Sequence, residues 1–378
     1  MKRLQAAVFG TGFMGKVHTE ALRRLGNVEV TAIAASTQAN ADAFAAQQNI
    51  PFATSDWRAA LAWADAVHIC TPNVLHYPMA LGALESGKHV LCEKPLTMTA
   101  SEARELVAIA KAKNLANCVN HNLRFYPVVQ NIRDMIAGGE LGEILLVNGT
   151  YFQDWLLYDT DWNWRAAIES GGTLRAMGDI GSHWMDMIQH LTGLRITALC
   201  ADLATFHKTR RRPHTPVETF TGKTPRPGDA DEVAVETDDA GAVLLRMGER
   251  ARGSFAVSQV SAGRKNRFAF EIYGTKCGVA WNQERPDELW IGQRNSPNQT
   301  IVKDPSLLHR RAASFADLPG GHSEGYDDTF KQMFRRFYAR VADANAPVEY
   351  PTFEDGAHGM RLLEKVLESS QRGAWVEI

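Results

Sequence analysis

Six residues near the start of the chain constrain its fold more than any other stretch. Residues 6–9 form a short apolar run, and Gly10-Thr11-Gly12-Phe13-Met14-Gly15 follows at once. A helical pattern covers 16–25, and a second apolar run covers 28–35. Strand, glycine turn, helix and strand within about 30 residues make one unit of a parallel sheet. In that context each glycine has a task. Gly10 permits the sharp turn, Gly12 lets the backbone approach a pyrophosphate, and Gly15 lets helix and strand lie close together. The positive end of the helix, with Phe13 and Met14 in its first turn, then faces the phosphates. A dinucleotide is the ligand this pattern implies.

The pattern repeats. Further strand-like runs fall at 66–70, 89–92 and 117–120, with helical stretches between them; one of these, 99–113, carries Leu106, Ile109 and Ala110 on one face. Alternating strands and helices predict a doubly wound α/β domain with a parallel sheet, a Rossmann domain over 1–122. Ligands of such sheets lie beyond the carboxyl ends of the strands. The residues at those ends are Thr71-Pro72-Asn73, Glu93-Lys94-Pro95 and His121-Asn122-Leu123-Arg124.

From 123 to 378 the pattern changes. A helix follows Pro127, and strands are predicted at 144–152, 195–203, 242–247, 251–259, 268–273 and 288–291. Most follow one another without helices between them, which predicts an α+β domain with a mostly antiparallel open sheet. One face of that sheet needs a cover, and self-association into a homo-oligomer, a dimer or tetramer, would supply it. Residues 207–231 hold Arg210-Arg211-Arg212 and Pro213, Pro216, Pro225 and Pro227, and read as a loop or extended arm. The arginine run reads as a solvated loop or a subunit contact. Residues 353–370 are helical by periodicity, and 374–378 read as a last strand.

Lysine plus arginine (41) nearly balances aspartate plus glutamate (43), so no broad field favours nucleic acid or an anionic membrane. No apolar run reaches the ~18 residues needed to span a bilayer, and the apolar stretch before Gly10 is too short for a signal peptide. The five cysteines show no metal-ligand spacing, and three lie in the strand-like runs of the first 122 residues. No metal is expected, and the reducing cytoplasm is the expected compartment.

Five short motifs, in this order, resemble the Gfo/Idh/MocA oxidoreductases: the glycine turn, Cys70-Thr71-Pro72-Asn73, the segment from Gly87 to Pro95 that ends Cys92-Glu93-Lys94-Pro95, Asn122-Leu123-Arg124-Phe125-Tyr126-Pro127, and Gly178-Asp179-Ile180-Gly181-Ser182-His183. The resemblance covers nearly the whole chain. It implies that Lys94, Asp179 and His183 are the catalytic set, and that Thr71, Pro72, Asn73 and Glu93 border the ribose and nicotinamide. His76, Lys94 and Asn122 are expected beside them at the cofactor, although Asn122, after a strand end, also reads as a cap of the domain junction. Oxidising a secondary alcohol removes a hydroxyl proton as hydride leaves for a nicotinamide, and histidine titrates in the right range to take that proton. Asp179 and His183 stand at i and i+4 in a helix predicted over 179–191, so both project from one face. Lys94 would place an ammonium against the same oxygen and stabilise its alkoxide character. Arg124 follows a strand end and reads as near the site or as a cap of the domain junction.

The acidic residue that binds the ribose of NAD is expected about 20 residues past the glycine motif. Ala35, Ser36 and Thr37 stand there instead, with neither a carboxylate for NAD nor a cation for the extra phosphate of NADP. The cofactor is NAD or NADP, with a lean to NAD. Trp155, Trp162, Trp164 and Arg165 fall in a stretch that interleaves aromatics with carboxylates and amides. That mixture suits a carbohydrate or cyclic polyol, which presents C–H faces and rings of hydroxyls. Arg165 could serve a substrate carboxylate or phosphate instead. Two other readings stay open: an NAD-using glycosidase with no net redox change, and a non-catalytic dinucleotide or sugar sensor.

Overall fold

The computed structural model describes residues 3–215 and 229–378. The chain divides into two compact units. One comprises Met1–Asn122, Glu169–Gly172 and Phe330–Arg361; the other comprises Leu123–Ile168, Thr173–Thr329 and Leu362–Ile378. Chain order and spatial division therefore part company at two places, Glu169–Gly172 and Phe330–Arg361.

The first unit begins β1 (Leu4–Phe9), α1 (Phe13–Arg23), β2 (Val28–Ala34), α2 (Gln38–Gln48), β3 (Phe52–Thr54) and α3 (Trp57–Ala60). It continues β4 (Ala66–Ile69), α4 (His76–Glu85), β5 (His89–Cys92), α5 (Ala100–Ala112) and β6 (Asn117–Val119). All six strands pair in parallel in the order β3-β2-β1-β4-β5-β6, the doubly wound sheet expected. Ala6, Val8, Ile33, Val67 and Leu91 are fully buried, as strands covered on both faces require. The order reverses between β1 and β4, which places the glycine turn at the switch point of the sheet. Thr99 and Glu102 form a capping box at the start of α5.

The second unit holds α6 (Pro127–Ala137), β7 (Ile144–Phe152) and, after the short α7 (Ile168–Gly171) that straddles the division, α8 (Ser182–Thr192). The strands that follow are β8 (Ile196–Ala204), β9 (Thr209–Pro213), β10 (Ala230–Ala234), β11 (Ala240–Met247), β12 (Ala251–Ser258), β13 (Arg267–Gly274), β14 (Gly278–Asn282), β15 (Glu288–Gly292) and β16 (Gln299–Val302). The chain ends with α9 (Arg310–Ala313), α10 (Tyr326–Ala342), α11 (Phe353–Arg372) and β17 (Val376–Glu377). Nine strands form one sheet, β16-β15-β14-β13-β7-β12-β11-β8-β17. It is antiparallel except for the β12–β7 pair. One face is buried under α8, whose Trp184 stacks on Phe255 with ring centroids 4.4 Å apart.

Three expectations need correction. The arm over 207–231 is not all loop, because Thr209–Pro213 and Ala230–Ala234 pair as an antiparallel two-stranded ribbon; Pro216, Pro225 and Pro227 lie outside the described residues. Strand alternation also buries Arg210 completely while Arg211 and Arg212 stay exposed, so the arginine run is not a uniformly solvated patch. The helix expected from 179 starts only at Ser182. Before it, Met177–Gly181 form a π turn, in which the Ser182 N–H reaches back to the Met177 carbonyl. Among the described residues, no helix is long and apolar enough to cross a membrane.

Candidate active site

In the first unit the glycine turn joins β1 to α1. Gly10 has φ +110°, and a Cβ there would stand 2.6 Å from the Cys70 carbonyl oxygen, so only glycine fits. A Cβ on Gly15 would collide with the Gly10 carbonyl. At Gly12 a Cβ would meet nothing within 4 Å. Gly12 is the N-cap of α1, no side chain caps it, and the first turn holds no acidic residue. An open helix start with its positive dipole end uncompensated is a fitting cradle for a pyrophosphate. Exposed Phe13 and half-buried Met14 complete that turn.

The other strand ends are braced by hydrogen bonds. Asn73 donates to the Gly171 carbonyl at 2.7 Å, and Thr71 and Pro72 are half-buried beside it. His76 lies with its ring nitrogens 2.9 Å from the Thr71 carbonyl and 2.8 Å from that of Pro95. The histidine thus ties the loop after β4 to the loop after β5, and its ring is occupied by backbone. Half-buried Lys94 donates its backbone N–H to Glu93 at 3.3 Å, and Asn122 is buried in the turn after β6. At the end of β2, the Ala35 N–H bonds the Thr54 carbonyl, Asn40 bonds Ser36, and the Thr37 hydroxyl caps α2 by accepting from Asn40 N–H.

Behind Glu93 runs a buried polar chain that sequence reasoning missed. His18 Nε2 lies 2.9 Å from Glu93 Oε1, His18 Nδ1 lies 3.0 Å from His68 Nδ1, and His68 Nε2 lies 3.0 Å from the Tyr338 hydroxyl. Asn120 also donates to Glu93. The signal for His18 was its position one turn after Gly15, on the buried face with Ala21 and Leu22. Burial alone would raise the Glu93 carboxyl. The hydrogen bond and charge of His18, with Lys94 and Asn120 after them, outweigh burial and hold it below its usual value. Burial, and then the charge of His18, holds His68 well below the ordinary histidine value.

The pair makes the fold acid-sensitive. The folded chain keeps His68 neutral, whereas the unfolded chain binds that proton below about pH 6.5. Stability is therefore full above that value and falls as pH drops, by about 1.4 kcal/mol per unit for this one proton. The depressed Glu93 value adds a loss at still lower pH. Thermal unfolding from pH 7.5 to 5.5 should show Tm falling with acidification, and His68→Gln should show a shallower fall. A Tm that stays level through this window in the unmodified protein would refute the assignment.

In the second unit, Asp238 shapes the turn that carries Asp179. Its carboxylate accepts the N–H groups of Arg175 at 2.6 Å and Met177 at 2.7 Å, and its carbonyl accepts that of Ala176 at 3.1 Å. Asp179 Oδ2 accepts from Gln259 at 2.9 Å, and Oδ1 stands 3.3 Å from Arg165 Nε. The Arg165 guanidinium also covers the Trp164 ring at 4.4 Å and reaches Asn163 at 3.2 Å. It is thus held against a carboxylate of its own unit. His183 is buried, its ring 6.4 Å from that of Tyr151. Tyr151 donates to Asn266 at 2.9 Å, which also takes a hydrogen bond from Gln153, and Gln153 in turn accepts from Trp155. Burial, then the charge of Asp179, pushes the Tyr151 hydroxyl far above its usual value, so it remains a donor.

The second unit therefore gathers Asp179, Arg165, His183 and Trp155 around Tyr151, Gln153, Gln259 and Asn266. Trp162 is half-buried in the same aromatic segment. Arg124 is engaged elsewhere: its guanidinium forks onto Asp186, with Nε 2.7 Å from Oδ2. That bidentate pair holds the Arg124 side chain against α8, which carries Asp186.

An open helix start at a switch point, joined in one chain to an acid–histidine turn on an open sheet, defines a dinucleotide-dependent oxidoreductase. Comparison with known proteins agrees. Residues 4–121 match the model described as "Oxidoreductase family, NAD-binding Rossmann fold", and residues 129–280 match the "GFO/IDH/MocA C-terminal domain". The chain belongs to the Gfo/Idh/MocA oxidoreductase family. It is 30% identical to levoglucosan dehydrogenase of Pseudarthrobacter phenanthrenivorans, over 100% of this chain and 99% of that one. It is 27% identical to inositol 2-dehydrogenase of Rhizobium meliloti, over 75% of this chain and 77% of that one. A solved structure of levoglucosan dehydrogenase with NADH and L-sorbose superposes with a TM-score of 0.89 at 29% identity, covering 100% of this chain and 99% of the other.

Proposed function

We propose that this chain is an NAD-dependent dehydrogenase that transfers hydride between the nicotinamide and a secondary alcohol of a neutral sugar or cyclic polyol. The observation that carries the reading is the acid–histidine turn of the second unit, set among Tyr151, Asn266, Gln153 and Trp155. Amide, phenol and indole groups there are fixed by one another, as hydroxyl recognition requires. The names of the relatives, levoglucosan and inositol dehydrogenases, point to the same substrate class.

When bound, the nicotinamide supplies the hydride acceptor. Lys94, Asp179 and His183 are the catalytic set. His183 takes the hydroxyl proton, and Lys94 places positive charge against the oxygen as it becomes alkoxide-like. Asp179, its own charge fixed by Gln259 and Arg165, orients the imidazole or holds a neighbouring hydroxyl. Gly10, Gly12, Phe13, Met14 and Gly15 hold the pyrophosphate. Ala35, Ser36 and Thr37 line the adenosine ribose, while Thr71, Pro72, Asn73, Glu93 and Asn122 line the nicotinamide side. His76 braces that wall. Because Arg165 is held by Asp179, Trp162 and Trp164 rather than a free cation face the sugar.

The open face of the nine-stranded sheet supports a homo-oligomer. Leu244, Ser254, Asn148, Glu271, Ala280 and Trp290 run across it in register, with exposed Leu146 and Val302 nearby. The six residues in register line a concave region of about 1040 Å³. None of the five cysteines is in a disulfide, which suits a reducing cytoplasm.

The test is a panel of pyranoses, cyclic polyols, glycosides and short 2-hydroxy acids, read by NADH absorbance with each cofactor. Net reduction with a free sugar or polyol is expected, with NAD preferred. Better turnover of a 2-hydroxy acid would refute the substrate class. A preference for NADP above ~100-fold in kcat/KM, about 2.7 kcal/mol, would refute the cofactor choice.

A further inference from the structure

The arginine run and the acidic pair Asp238-Asp239 have no role in the chemistry above, yet Arg210 and Asp239 are the most completely buried charges of the second unit. Both have zero exposure, and Arg175 has 1%. Asp239 Oδ1 takes Arg210 at 2.7 Å and also Arg175, while Oδ2 takes the N–H groups of Phe206 at 2.7 Å and His207 at 2.9 Å. The two terminal nitrogens of Arg210 also donate to three backbone carbonyls: Leu156 at 2.9 Å, Tyr158 at 2.8 Å and Asp161 at 3.0 Å. Those carbonyls belong to the irregular segment between Trp155 and Trp162, which has no ladder of its own to shape it. Arg175 opens the turn that Asp238 holds, and Asp179 lies on that turn. The Asp239 carbonyl accepts the N–H of Gln259, whose side chain holds Asp179.

We propose that Arg210 and Asp239 are positioning residues for substrate recognition, which lock the aromatic segment 155–165 and the turn bearing Asp179 into one rigid frame. A guanidinium suits this task because its planar donors meet several fixed carbonyls at once, whereas an ammonium on a flexible stem cannot reproduce the fork. Burial removes competing water, so the carbonyls have no equivalent partner if the fork is lost. A sub-ångström loosening of the segment then acts on the sugar through Trp155 and Trp162, without either positioning residue touching it.

The inference rests on the reading that segment 155–165 contacts the sugar, and its experiment separates the two. Steady-state kinetics on the best sugar of the panel, with NADH affinity measured by fluorescence titration, are compared for Arg210→Lys, Arg210→Met and Trp162→Ala. Arg210→Lys should raise the sugar KM about tenfold, and Arg210→Met more. The NADH Kd should stay within about twofold, and Arg210→Lys should retain most of kcat. Limited proteolysis of Arg210→Lys should open the chain within 155–165 before other sites. If Trp162→Ala raises KM while both Arg210 variants leave it unchanged, the positioning role is wrong and the substrate reading stands. If Trp162→Ala leaves KM unchanged while the Arg210 variants raise it, the substrate reading of that tryptophan is wrong and the frame acts through the Asp179 turn. A uniform loss of active enzyme with unaltered KM and Kd would show a purely structural role. Should Arg210→Met not fold, Arg210→Lys decides the matter alone.

Discussion

Lys94→Ala and His183→Ala will each lower kcat by about 10²-fold or more, the scale of a positioned acid–base or electrostatic group. The two losses should differ in character. Without His183 no group of matched basicity takes the hydroxyl proton, so activity should recover as pH rises and hydroxide substitutes. Without Lys94 the developing alkoxide loses its fixed positive charge, a loss that added base does not repair. NADH binding should change little in His183→Ala, since the residue belongs to α8 of the second unit rather than to the glycine turn. The measurement is kcat and kcat/KM against pH, with NADH titration on the same preparations. Near-normal turnover in either variant ends this assignment.

Asp239→Ala will destabilise the protein by about 3–5 kcal/mol, the scale for breaking a buried ion cluster by removing one partner. Two guanidiniums share this carboxylate in a place that water does not reach. Deleting it leaves two like charges facing each other, and it also takes the acceptor from the Phe206 and His207 N–H groups. Burial raises the Asp239 carboxyl, but Arg175, the His207 N–H and Arg210 more than offset it and hold the group below its usual value. The carboxylate is therefore ionised at any working pH. Urea unfolding at pH 7 in the absence of cofactor measures the loss. A change below about 1 kcal/mol would mean that water enters the cluster and screens it.

The parts of the site legible in the sequence are those whose meaning is local. Gly10, Gly12 and Gly15 are constrained by neighbours a few residues away, so their spacing declared the turn. Lys94 and Asn73 were legible because a parallel sheet sends every strand's carboxyl end to one side, and the apolar runs marked those ends. The antiparallel character of the second sheet was readable because its strands follow one another without helices. The five short motifs thus carried the fold and the names of the candidate residues.

What the sequence alone did not determine has one physical cause: the deciding partner is far away along the chain. His18, His68 and Tyr338 are unremarkable singly, and only the fold stacks them behind Glu93. Arg210 looked solvated in a proline-rich stretch, and it is buried because Asp239 and three carbonyls of another loop surround it. The helical periodicity before Ser182 is genuine, but it does not distinguish an α turn from a π turn. The π turn forms where Asp238 draws the N–H groups of Arg175 and Met177 to its carboxylate, some 60 residues on. Sequence determined most of the elements and the residues at the carboxyl ends of the parallel strands, because propensity and burial periodicity act over a few residues. Tertiary structure alone decided which buried charges are satisfied, because an unpaired charge is tolerated only once its partners have been brought to it.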